Sequence, residues 1–313
     1  MGSQMTRLLQ EVYAVGQSKF DDKQSARAEL AESKLSATSE AIAEKTDLHS
    51  VSTINNYLER WVEIGTWAKT QMGIKNMEQL TSEAVRTFLA EKFEIGVSYS
   101  HFSQYCAAIT KLERALNSYA SQAGKAANHA LRDFKDLRTE AKAELPRFTG
   151  TRAYSDTKGL LSALSGNSRL VATIQRESGA RLAEATSIRS EQLRGLSIDP
   201  HTGKAIGSYD FIGKGGKENT AHVSVATYRE LERFIIANGG VLKLNVDSYR
   251  ADLKAAAVKS GQVYNGSHGL RWVFAQARMA ELQSNGVGHA QSLGIVSSEM
   301  GHNRIEITLR YLS

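Results

Sequence analysis

The residues best able to do chemistry lie in the second half of the 313-residue chain and follow one another in a set order. Gly179-Ala180-Arg181-Leu182-Ala183-Glu184 comes first, then Lys214 inside the glycine-rich stretch Gly213-Lys214-Gly215-Gly216-Lys217. His268-Gly269-Leu270-Arg271 follows, then Gly301-His302, and finally Tyr311, nine residues after that histidine. Two guanidinium groups can clamp the non-bridging oxygens of a phosphodiester in bidentate fashion as charge builds on them. A phenol can act as nucleophile if protons are handled near neutral pH at the attacking and leaving oxygens. Histidine titrates in that range, and a lysine on a hairpin can reach a leaving 5′ hydroxyl. Together the set supplies what transfer of a DNA phosphoryl group to a protein hydroxyl requires.

Each feature alone has an ordinary reading. An Arg–Glu pair three apart on a helix is usually a solvated ion pair. A lysine in a glycine-rich turn is usually just exposed, His268 fits the start of a helix, and Tyr311 fits a packed aromatic. In their order, however, the boxes resemble those of the tyrosine recombinase family, which includes phage integrases and Xer-type chromosome-dimer recombinases. The likeness is close from Asp156 to Ser313, whereas residues 47–145 resemble the family's core-binding domain in architecture and carry no motif.

That resemblance implies a mainly α fold with a small antiparallel β-sheet. An α-helical core-binding domain and a catalytic domain of the DNA-breaking-rejoining fold would close around duplex DNA. It also implies strand exchange without metal, cofactor or ATP, because a 3′-phosphotyrosine on Tyr311 conserves the phosphodiester energy. Arg181 and Arg271 would hold the phosphate with His302 as a further donor, and His268 would be a general base or phosphate ligand. Lys214 would be the general acid, with Lys217 as the alternative hairpin lysine, and Glu184 would orient its neighbours from behind. Implied partners are double-stranded DNA with a specific target site, a homo-tetramer on paired sites, and an accessory DNA-bending protein. The chain stops two residues after Tyr311, where many members continue into a C-terminal helix. Either it is cut short or its assembly contacts come from elsewhere, such as the N-terminal arm, and whether Tyr311 acts in its own subunit stays open.

The elements that must position these residues are readable from periodicity. Residues 5–46 are polar and charge-mixed, which predicts a helical or flexible arm over 1–46. Ile54, Leu58, Trp61 and Ile64 recur at helical steps, as do Val85, Phe88 and Leu89, and then Phe102, Tyr105, Ile109, Leu112 and Leu116. A fourth helix is expected between Lys125 and Glu144, which completes a helical domain over 47–145 with its Trp and Phe stripes as core. Pro146 and the residues after it predict a linker over 146–155, ahead of a catalytic domain over 156–313. Within that domain, short helices should precede a β-meander at 192–198, 209–212 and 222–225, and helices should resume from Thr227. The stretch 283–294 reads as a long loop with His289 on its surface.

Composition narrows the class. Net charge is +6, and all of the excess lies in residues 150–313, with 20 basic against 14 acidic residues, while residues 1–149 balance at 19 each. That tilt favours a polyanionic partner. The single cysteine, Cys106, rules out an internal disulfide framework and a cysteine-based zinc module. None of the eight histidines shows His-x-x-x-His spacing, and Gly215 follows Lys214 where a Walker A loop needs Ser or Thr. No secretion signal or membrane span is apparent, so a cytoplasmic, nucleoid-associated protein is expected. The rival readings are a type IB topoisomerase or telomere resolvase, and a non-catalytic DNA-binding protein on the same fold.

Overall fold

The computed structural model describes residues 2–125, 128–213, 218–302 and 305–312. The chain divides into two compact units, Met1–Phe148 and Thr149–Ser313. The division falls inside the stretch expected as a linker. Among the described residues, no helix is long and apolar enough to cross a membrane.

The first unit is helical: α1 (Gly2–Gln10), α2 (Lys19–Glu32), α3 (Ser39–Lys45), α4 (Val51–Met72), α5 (Ser82–Glu94), α6 (Tyr99–Gln122) and α7 (Lys135–Glu144). Thr81 caps α5 by accepting from the Ala84 N–H, and Ser98 caps α6 by accepting from the His101 N–H. Trp61, Phe88 and Phe102 are fully buried, and Trp61 satisfies its indole N–H on the Ala108 carbonyl at 2.8 Å. These stripes form the core, as their spacing predicts.

Two expectations for this unit need correction. The 1–46 segment is helical, but its start is no free arm. Met5, Leu8, Leu9 and Val12 are buried in the same core as Trp61 and Phe88. Lys111 and Arg114 of α6 donate to the last carbonyls around α3, at Ala43, Glu44, Lys45 and Thr46, and so pin the segment down. The fourth helix starts only at Lys135. Ahead of it, side chains of α6 replace the helical hydrogen bonds. Asn117 pairs with both backbone groups of His129 at 2.9 and 2.7 Å, and Glu113 accepts from the Leu131 N–H at 2.6 Å. Leu131 and Phe134 are thereby buried without a helix beneath them.

The second unit runs α8 (Thr157–Ala163), α9 (Gly166–Ser178), α10 (Leu182–Ala185), β1 (Ser187–Arg189), β2 (Leu193–Ile198), β3 (Ala205–Ile212) and β4 (Glu218–Ser224). It continues with α11 (Val225–Ala237), β5 (Val241–Lys243), α12 (Val246–Lys259), α13 (Gly266–Ser284), α14 (His289–Glu299) and α15 (Ile305–Leu309). Strands β2, β3 and β4 form the antiparallel meander, in which Ile212 faces Glu218 at the hairpin base. An antiparallel pair of three-residue strands, β1 with β5, adds a second small sheet. The expected long loop is short: α13 ends at Ser284 and α14 begins at His289, which is exposed.

A core of Leu160, Val171, Ile174, Tyr209, Leu231, Tyr249, Leu253 and Leu270 fills the centre of this unit. A second cluster, including Trp272, Phe274, Met279, Val296, Met300 and Tyr311, joins α13 to α14 and the C-terminal residues. Arg278 of α13 ties these elements together through Asp199 (2.8 Å), Glu281 (2.7 Å) and Glu299 (2.8 Å).

If α1 belongs to the core, Leu8→Ala should destabilise the first unit by about 2–5 kcal/mol, as for other buried leucines. Hydrogen exchange of the α4 and α6 amides measures this. Unchanged protection in the variant would mean that α1 contributes nothing to the fold.

Candidate functional site

The site is assembled at helix ends. Helix α9 stops at Gly179, whose φ of +66° is left-handed, and a Cβ there would come within 2.4 Å of the Phe274 ring. The chain therefore turns sharply and presents Arg181 as the N-cap of α10. Glu184, buried in the next turn, accepts from the Arg181 backbone N–H at 2.7 Å and from its Nη1 at 2.9 Å. One carboxylate thus fixes both the backbone and the guanidinium of Arg181. About a third of that side chain stays exposed (31%), and its Nη2 also points at the Gly301 carbonyl, 3.5 Å away.

Arg271 lies at the centre. It is 2% exposed, one turn into α13, and donates from Nη1 to the Gly179 carbonyl and from Nη2 to the Met300 carbonyl at 3.2 Å. Its Nη2 is also 3.3 Å from His302 Nε2, and its Nε is buried with no hydrogen-bond partner among the described residues. Burial pulls the Arg271 pKa down, and contact with the Tyr311 phenol opposes that shift.

His268, three residues before Arg271, sits at the solvent-exposed rim. His302 follows Gly301, another left-handed glycine at φ +62°, and its Nδ1 meets Thr308 Oγ1 at 2.8 Å. Tyr311 closes the group. Its ring centroid is 5.2 Å from that of His268, 5.3 Å from Trp272, 5.3 Å from His302, and 6.0 Å from the Arg271 guanidinium. The Tyr311 N–H donates to the Thr308 carbonyl at 2.9 Å, and Gln276 Nε2 donates to its carbonyl oxygen at 3.1 Å.

Arg181, Glu184, His268, Arg271, His302 and Tyr311 are therefore brought into one cluster by segments as far apart in sequence as 181 and 311. Lys214 and Lys217 lie outside the described residues. The hairpin base does reach the cluster: a Cβ on Gly301 would lie 3.4 Å from Asn219 Nδ2 and 3.6 Å from Arg181 Nη1. Sequence reasoning missed Thr308, Trp272, Gln276 and Asn219 as members of this neighbourhood. The only available signal was for Thr308, a small polar residue three before Tyr311 in an apolar-flanked helix.

The electrostatics are one-sided. Arg181, Arg271 and Arg152 bear on His268, while Glu184 is engaged by Arg181. Burial, then Arg271, Arg181 and His268, holds the His302 pKa down at about 4, and burial with the neighbouring arginines lowers that of His268. Both imidazoles are neutral near pH 7, so the guanidinium groups supply the positive charge. Among the described residues, no three His, Cys, Asp or Glu side chains gather as a metal site.

No protein-family model matches the sequence, and no curated protein matches it significantly. Solved structures do. The site-specific recombinase XerH bound to difH substrate, in a pre-cleavage complex, aligns with a TM-score of 0.60 at 16% identity, over 100% of this chain and 93% of that one. The Tn1549 transposon integrase in complex with transposon right-end DNA aligns with a TM-score of 0.54 at 13% identity, over 93% of this chain and 94% of that one. The fold is that of the tyrosine recombinases. As that family's pattern leads one to expect, the fold is mainly helical with a small antiparallel sheet.

The depressed imidazoles set a pH dependence. Between the ordinary histidine pKa of 6.5 and about 4, the unfolded chain binds a proton that folded His302 does not. Stability therefore rises with pH across that window and is lost as acid is added; His268 contributes with the same sign. A His302→Gln variant should lose less stability than the parent chain between neutral pH and about pH 5. Chemical denaturation at the two pH values checks this, and equal losses would contradict the burial of a neutral imidazole.

Proposed function

We propose that this chain is a site-specific DNA recombinase or integrase that cuts and rejoins duplex DNA through a 3′-phosphotyrosine on Tyr311. The observation that carries the reading is the packing of the Tyr311 ring against His268, His302 and Arg271, in a fold shared with recombinases solved on DNA. A phenol surrounded by two imidazoles and a buried guanidinium is costly to assemble for packing alone.

In this mechanism the Tyr311 oxygen attacks the scissile phosphorus, and the bond to the 5′ oxygen breaks. Neutral His268, at the rim and beside the phenol ring, takes the phenolic proton. Arg181 and Arg271 clamp the non-bridging oxygens, where charge grows in the transition state, and His302 donates a further hydrogen bond. Glu184 keeps Arg181 aimed by holding it at two points. Lys214, with Lys217 as the alternative, protonates the leaving 5′ oxygen from the hairpin. A 5′ hydroxyl from a partner duplex reverses the steps and reseals the strand, which restores the phenol. No metal ion, organic cofactor or nucleotide enters these steps. The partners are double-stranded DNA with a specific target site, further copies of the chain as a homo-tetramer on paired sites, and an accessory DNA-bending protein.

Covalent trapping tests the reading. The parent chain and Tyr311→Phe are incubated with fragmented source DNA in chelator without nucleotide, denatured in SDS, and the attached DNA is sequenced. An adduct is expected only with Tyr311 present, with clustered ends, while Tyr311→Phe keeps nearly the same salt-sensitive DNA affinity. Tight binding without any adduct would replace this function with that of a DNA binder. Arg181→Ala should lose about 3–5 kcal/mol of transition-state stabilisation, read as a cleavage rate lower by roughly two to four powers of ten. Near-normal cleavage by that variant would remove Arg181 from the mechanism.

A further inference from the structure

Helix α15 is five residues long, too short to be stable by itself. Most of it faces solvent, since Ile305, Glu306 and Leu309 are exposed and Ile307 is half-buried. Thr308 is the exception at 0% exposure, and it makes two contacts from one residue. Its hydroxyl meets His302 Nδ1 at 2.8 Å, and its carbonyl accepts the Tyr311 N–H at 2.9 Å. The imidazole and the phenol are thus hung from the same side chain and backbone.

The direction of the first contact can be worked out from the other side of the ring. Arg271 Nη2, 3.3 Å from His302 Nε2, can only donate, so Nε2 must present a lone pair. A neutral imidazole then carries its proton on Nδ1, and the Thr308 hydroxyl accepts it. A bound phosphodiester reverses the requirement, because an anion needs a donor at Nε2. The proton must then sit on Nε2, leaving Nδ1 as an acceptor, with no net gain or loss of protons. A hydroxyl both donates and accepts, so it can satisfy Nδ1 in either state by rotating. Valine, of similar shape, could satisfy neither.

We propose that Thr308 is a positioning residue that supports whichever His302 tautomer the partner at Nε2 demands and fixes the imidazole and the Tyr311 backbone in one geometry. In the free protein it accepts from the Nδ1–H form that Arg271 imposes, and its loss would leave that N–H buried without a partner. With phosphate in place its hydroxyl turns to donate to Nδ1 and frees Nε2–H for the phosphate. The second half of this statement rests on the proposed recombinase function, whereas the first does not.

The test uses the full chain labelled with ¹⁵N-histidine, and long-range ¹H–¹⁵N spectra assign each imidazole tautomer, with His302→Gln identifying the signal. Chain bearing Thr308 and the Thr308→Ser variant should both show His302 as Nδ1–H. Thr308→Val should lose that signature to a mixture or to Nε2–H, while thermal unfolding checks that it remains folded. In the covalent-trapping assay, Thr308→Val should form adduct about tenfold more slowly, the scale of one hydrogen bond, and Thr308→Ser should recover most of the rate. A dominant Nε2–H signal in the free chain would overturn the assignment, as would a Thr308→Val spectrum unchanged at His302. Lack of adduct in the unmutated chain would refute the recombinase reading and the phosphate-bound half of the proposal, leaving the tautomer result to stand or fall alone.

Discussion

The buried guanidinium of Arg271 is the constraint around which the second unit is organised. It cannot give up its proton to escape burial, so its donors must find acceptors. Its two Nη nitrogens find them at helix ends, where Gly179 terminates α9 and Met300 terminates α14, while Nε has no partner among the described residues. Terminal carbonyls lack intrahelical partners and carry the negative end of the helix dipole, which makes them good seats for a cation. One side chain on α13 therefore fastens three helices and brings the segments bearing Arg181, His268 and His302 to a common point. The left-handed glycines Gly179 and Gly301 belong to the same arrangement, since each lets its helix stop in time to offer those carbonyls.

A second arginine on α13 shows what sets Arg271 apart. Arg278 lies two turns further along and meets three carboxylates, Asp199, Glu281 and Glu299. Those partners push its pKa up despite burial, whereas burial pulls that of Arg271 down. A cation fully matched by carboxylates is a structural tie. A cation whose hydrogen-bond partners are neutral groups leaves a positive potential at the cluster, and that potential is what an anion can use. The neutral imidazoles fit the same logic: they keep proton acceptors available beside Tyr311 without adding charge to an already cationic cluster.

How much of this was legible follows the range of the interactions. Long amphipathic stretches such as Ile54 to Ile64 declare a helix locally, and the polar boxes declare chemistry because residue type and order carry it. The packing of α1 was hidden, because Met5, Leu8, Leu9 and Val12 are few and interrupted by polar residues, and their burial depends on the core around Trp61 and Leu48. Strands β1 and β5 are three residues each, too short for any alternation to register. The segment before α7 looked helical from Leu131 and Phe134, yet Asn117 and Glu113 on another helix decide its backbone. Thr308 offered only its type and its place three residues before Tyr311, because a buried hydroxyl means something only once its imidazole partner is known.

Tyr311 follows a helix of five residues, whose only fully buried side chain is Thr308, and its ring rests on His268, Trp272, His302 and Arg271. Little local free energy keeps this segment in place, so its position is set almost wholly by tertiary contacts. On the proposed mechanism, Arg271, His268 and His302 are also the groups that a scissile phosphate engages. Phosphate binding would therefore compete for the very contacts that hold the tyrosine against the protein. On that mechanism the empty site would hold the phenol ring, and a bound phosphate would take over the groups around the ring while the Thr308 carbonyl keeps the Tyr311 backbone in place.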